Sequence, residues 1–158
     1  MGINQDFRDL FASFNAGRVE YLVAGAYAVM YYAAPRFTKD LDVWINPTPE
    51  NARRTWKALG KFGAPMIGVS EGDFTNRDMV YQIGIEPNRI DVIMGIAGCD
   101  FPPCWKHRVK SMYGGIPIFL MGADDLLRSK QCAARPQDLL DAENLKKAVD
   151  KKSRKGGS

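Results

Sequence analysis

Apolar residues recur at helical spacing from the start of the chain: Ile3, Phe7, Leu10, Phe11 and Phe14 fall on one stripe, and Gly17 follows as a stop. The spacing predicts an amphipathic helix over residues 3–15. A continuous apolar run, VEYLVAG, then predicts a buried strand ending at Gly25, and the Ala-rich AYAVMYYAA predicts a short helix closed by Pro35. The next strand is DLDVWI, stopped by Asn46-Pro47, after which Thr48-Pro49-Glu50 reads as an N-cap with proline in the first turn of a helix reaching Phe62. An acidic, Gly-containing loop (GVSEGDFTN) precedes two strands, MVYQIGI and RIDVIM. A Pro-rich turn, DFPPCW, leads to a hairpin around Gly114-Gly115. Two helices finish the chain, ADDLLRSKQCAA and PQDLLDAENLKKAV. Strands and helices in this order predict an α+β domain, its mixed sheet covered by helices on one face and followed by C-terminal helices.

Two strands break their own pattern. Aspartate is depleted from strands, yet Asp40 and Asp42 open one apolar run and Asp91 sits inside another. Residues two apart on a strand share a face, so Asp40 and Asp42 project together while Leu41, Val43 and Ile45 enter the core. A third carboxylate from a neighbouring strand completes an all-oxygen set suited to hard divalent cations. Such a set can hold two ions that stabilise the attacking and leaving oxygens of a phosphoryl or nucleotidyl transfer. Arg89, two residues before Asp91, shares its face and can pair with it.

Charge adds little to this picture. The formal net charge is +4, but residues 146–158 alone carry +5, leaving −1 on residues 1–145. The expectation is one domain over 1–145 and a basic, frayed tail over 146–158. Three cysteines form no disulfide framework, and no apolar stretch is long enough for a membrane span or a signal peptide, which reads as a protein of the reducing cytoplasm. Cys99, Cys104 and His107 offer the start of a zinc site without a clear fourth ligand. His107 is the only histidine, so a Ser–His or Cys–His nucleophile would have to be built around it.

Taken together, Ala24-Gly25-Ala26, a spacer, Asp40-Leu41-Asp42-Val43 and the later Asp91 resemble the DNA polymerase β superfamily of nucleotidyltransferases. More narrowly the chain resembles the short bacterial proteins of the minimal and abortive-infection type, many found in toxin–antitoxin pairs. The resemblance extends to Lys130 followed by Arg135-Pro136-Gln137-Asp138-Leu139-Leu140-Asp141, and so covers about residues 21–145. It departs at Ala26, where the family has Gly or Ser, which removes a possible hydroxyl donor to phosphate.

The resemblance implies a polymerase-β-like fold and an enzyme that moves a nucleoside monophosphate from an NTP, ATP among them, to a hydroxyl. Asp40, Asp42 and Asp91 would be both catalytic residues and ligands of two Mg²⁺ ions. Gly25, Ala26, Arg36, Lys39 and Lys130 would bind the nucleotide, Lys130 as a compact charge for phosphate. Asp138 and Asp141, in the first turns of the last helix, brace the site, with Arg135 paired to one of them. Acceptors consistent with the resemblance are RNA such as a tRNA end, a protein or a small molecule, with a cognate toxin or antitoxin chain as partner. The alternative is a catalytically inactive binding module that keeps the fold, antitoxin-like or RNA-binding, which Ala26 favours and the carboxylate set disfavours.

Overall fold

The computed structural model describes residues 2–33 and 40–156. Six strands form one mixed sheet in the order β3-β4-β2-β1-β6-β5. They are β1 (Tyr21–Ala24), β2 (Asp40–Ile45), β3 (Val80–Ile83), β4 (Arg89–Ile93), β5 (Val109–Tyr113) and β6 (Ile116–Leu120). The helices are α1 (Gln5–Ala16), α2 (Gly25–Tyr32), α3 (Pro49–Phe62), α4 (Phe101–Lys106), α5 (Ala123–Ala133) and α6 (Pro136–Gly156). The α+β architecture with a mixed sheet is the one the sequence predicts.

Local chemistry accounts for the element ends. Asn4 caps α1 by accepting from the Asp6 and Phe7 amides, and Thr48 caps α3 by accepting from the Asn51 amide. Gly63 closes α3 in the left-handed conformation. Gly114 and Gly115 both take positive φ, 54° and 82°, as a tight β5–β6 hairpin turn demands. The buried aromatics Phe11 and Phe14 of α1 pack on Tyr21 of β1, so α1 covers the face that also buries Val43 and Val92.

Three segments differ from expectation. DFPPCW is not an irregular turn but a helix, α4, because prolines in the first turn lack N–H groups that would go unbonded there anyway. Part of the acidic loop closes into a 3-10 turn, Glu71–Thr75, anchored by buried Phe74 against Tyr81. The last helix does not stop at Val149: α6 continues through the basic run to Gly156. Paired lysines with helix-compatible neighbours carry no stop signal before Gly156, so the backbone has no reason to leave the helix earlier. Among the described residues no helix is long and apolar enough to cross a membrane.

Candidate active site

The carboxylates meet because β2 and β4 are parallel neighbours. Their register sets Asp42 beside Asp91 and Asp40 beside Arg89, with Gln82 of β3 next to Asp91 on the other side. By strand alternation Asp40, Asp42 and Trp44 share the face opposite Leu41, Val43 and Ile45. That face is covered over Trp44 by α4, whose Phe101 meets the indole edge-to-face at 5.1 Å between centroids.

Asp42 is hemmed in by burial and by two other carboxylates. Burial, then the charges of Asp91 and Asp40, push its carboxyl up to about 6, with Lys130 and Arg89 pulling the other way. Arg89 forks onto Asp91, Nε donating to Oδ1 at 3.1 Å and Nη2 to Oδ2 at 2.9 Å, and its Nη2 stands 3.5 Å from Asp40 Oδ2. With its amide turned so that the oxygen faces the guanidinium, Gln82 accepts from Nε and Nη2 at 3.1 Å. Gln82 was not a candidate from sequence; its only signal is a polar position in register with Asp91.

Gly25 fits the site for a steric reason. Its φ is +61°, and a Cβ there would lie 2.1 Å from Asp42 Oδ2, so only glycine lets the β1–α2 turn approach the carboxylate. Ala26 follows as the second residue of α2, half-buried. Arg36 and Lys39 lie outside the described residues. A cleft of about 180 Å³ is lined by Gly25, Asp42, Ser129, Lys130, Arg135 and Asp138, among others.

Lys130 is buried and not free in that cleft. Its Nζ lies 3.3 Å from Asp138 Oδ1 and 3.2 Å from Asp141 Oδ2. Arg135 Nε donates to Asp138 Oδ2 at 2.6 Å, and Gln137 to Asp141 Oδ1 at 3.1 Å. Arg135 and Lys130 together hold the Asp138 carboxyl below the usual carboxylate range, against a burial effect that acts upward. The Arg135 pairing anticipated from sequence is present.

Among the described residues the Cys–His zinc arrangement is not gathered as a ligand set. His107 Nδ1 meets Asp125 Oδ2 at 2.9 Å, Cys99 Sγ points to the Asp125 carbonyl at 3.5 Å, and burial pushes the Cys104 thiol up to about 12. Asp125, buried, takes Arg128 as a second partner at 3.1 Å. This cluster borders a groove of about 750 Å³ that is larger than the carboxylate cleft but does not include it.

The carboxylate set has the donor chemistry of a hard-cation site: oxygen only, with Arg89 seated on two of the three carboxylates. Among the described residues no three His, Cys, Asp or Glu side chains are gathered as a metal-ligand set as they stand. A guanidinium spanning Asp91 and Asp40 is itself a stand-in cation, so the residues fit a cation provided Arg89 yields.

Sheet order, parallel carboxylate strands and glycine turn together make this the polymerase-β-like nucleotidyltransferase fold, shared with solved nucleotidyltransferases. The antibiotic-resistance factor ANT(2'')-Ia in solution superposes with a TM-score of 0.59 at 10% identity, covering 93% of this chain and 82% of its own. The lincosamide antibiotic adenylyltransferase LnuA, lincomycin-bound, gives 0.56 at 14%, covering 90% and 96%. A putative nucleotidyltransferase from Thermotoga maritima, TM1012, gives 0.56 at 14%, covering 93% and 92%. At such identities the likeness is one of fold. No protein-family model and no curated protein matches the chain.

Proposed function

We propose that the chain is a metal-dependent nucleotidyltransferase that moves a nucleoside monophosphate from an NTP to a hydroxyl acceptor. The observation that carries this reading is the β2–β4 register, which sets Asp42 against Asp91 with Asp40 on the same face, beside a glycine turn that tolerates no Cβ. Asp40, Asp42 and Asp91 are the residues to hold divalent cations, and a cation bound there supplies Lewis-acid polarisation of the transferring phosphoryl group and its attacking hydroxyl. Asp91 accepts the acceptor's hydroxyl proton. Gly25 and the amides that begin α2 approach the phosphates, while Lys130, tethered between Asp138 and Asp141, adds a fixed positive charge at the cleft wall.

For the acceptor, a small hydroxylated molecule has a specific support. A cavity of about 310 Å³ shares Ile96 and Ala97 with the carboxylate cleft, within the usual range for small-ligand sites. Trp44 lines it, and the Trp44 indole N–H finds no hydrogen-bond partner among the described residues. Two of the neighbours are described with antibiotics, ANT(2'')-Ia with adenylyl-2''-tobramycin and LnuA with lincomycin. RNA and protein acceptors, and a cognate toxin or antitoxin chain, rest on the sequence resemblance alone. A catalytically inactive binding module is the second reading, favoured by Ala26 and by Arg89 seated on the carboxylates.

Incubation with each labelled NTP, Mg²⁺ and, separately, RNA, cell protein and a panel of hydroxylated small molecules tests the reading. Label should pass to one acceptor class with release of pyrophosphate, and Asp42→Asn and Asp91→Asn should abolish it. Nucleotide binding without transfer to any class would favour the inactive module.

A further inference from the structure

Arg89 already occupies the place a cation would take. Its fork engages both oxygens of Asp91, reaches Asp40, and is backed by Gln82 on the neighbouring strand. Bidentate guanidinium–carboxylate pairs are strong and geometrically demanding, and a divalent cation needs the same oxygens. We propose that Arg89 is the built-in counter-ion of the carboxylate site, which an incoming divalent cation must displace from Asp91. This rests on reading the three carboxylates as the metal site.

The geometry suits an exchange rather than a permanent brace. The Arg89 side chain is 30% exposed and Asp91's 10%, so the guanidinium can swing outward while the carboxylate stays. Gln82 is exposed and holds the guanidinium without sealing it. Charge points the same way: Arg89 spans two of the clustered carboxylates and relieves their mutual repulsion, a role that a divalent ion on the same oxygens takes over. By contrast, if Arg89 only oriented Asp91, removing it would loosen a ligand and weaken metal binding.

The test is a Mn²⁺ titration of the full chain, followed by the electron paramagnetic resonance signal of free Mn²⁺, for wild type, Arg89→Gln, Gln82→Leu and Asp42→Asn. Displacement predicts tighter Mn²⁺ binding by Arg89→Gln, about tenfold, equivalent to about 1.4 kcal/mol. It also predicts a smaller shift in the same direction for Gln82→Leu, and a loss of binding for Asp42→Asn. Equal or weaker binding by a folded Arg89→Gln overturns the inference while leaving the metal site standing. Should Arg89→Gln not fold, the exposed Gln82→Leu decides on the same criterion. Absence of Mn²⁺ binding in every protein overturns the inference together with the metal reading beneath it.

Discussion

Two groups of aspartates each send one member to the same cleft, Asp42 from the sheet and Asp138 from the helices, and the two groups are held differently. On the sheet, Asp42 stands in register with Asp91 and Asp40 lies on the same face, with Arg89 reaching both Asp40 and Asp91. On the helices, Asp138 and Asp141 share two cations, Lys130 and Arg135, with Gln137 supplying a further donor. The helical group is balanced and buried, as ion pairs whose task is to hold α5 against α6 should be. In the sheet group burial first, then the charges of Asp91 and Asp40, push the Asp42 carboxyl up to about 6, at a cost to the fold. The same residue type is a brace where cations clamp it between two helices and a candidate site where adjacent strands set carboxylates side by side.

Breaking the balanced group should have the larger effect. Lys130→Met removes a buried cation that meets both Asp138 and Asp141. Removal of one partner from a buried pair costs about 3–5 kcal/mol, so chemical denaturation should show a loss of that order. A loss below about 1 kcal/mol would mean that the two groups do not differ in kind.

Relieving the buried, repelled carboxyl of Asp42 should act in the opposite direction. Asp42 has a folded-state pKa above its ordinary 3.8, so between about pH 4 and 6 the native protein holds a proton that the unfolded chain has released. Its contribution to stability is therefore drained as pH rises through that window. Without divalent cations, Asp42→Asn should be more stable than wild type by about 2–3 kcal/mol above pH 6, and the advantage should vanish below about pH 4. Unfolding free energies measured from pH 3.5 to 7.5 check both the sign and the window.

The smallest effect sharpens the boundary between matched charge at the surface and matched charge inside. Arg135 has a side chain 78% exposed and leaves Asp138 still bound to Lys130. Arg135→Ala should cost no more than about 1 kcal/mol, read from the same denaturation series.

Much of this was legible from residue spacing. The Phe7, Leu10, Phe11 and Phe14 stripe of α1, the Thr48 cap, the Gly114-Gly115 hairpin and the strand-borne aspartates are local patterns that appear where the pattern puts them, whereas Ile3 precedes the Asn4 cap and is exposed. What could not be read is non-local. The seating of Arg89 on Asp40 as well as Asp91 depends on which strand lies next to β4, and the steric need for Gly25 depends on how near Asp42 comes. The burial of Lys130 between two carboxylates requires α5 to pack on α6, which the exposed-lysine pattern of its helix does not announce. Proline placement misled at α4, because the same residue that ends one helix can begin another.

The parallel pairing of β2 with β4 also bears on the order in which the protein assembles. Strands β5 and β6 meet across a two-glycine turn, whereas Asp42 reaches Asp91 only after a crossover of about fifty residues has closed, with a corresponding entropic barrier. Contacts of that separation slow folding. A nascent or partly folded chain can therefore carry the Asp40–Asp42 strand paired to β1 while lacking its third carboxylate. Metal affinity, followed during refolding, would then appear late and would report closure of the crossover rather than formation of the hairpin.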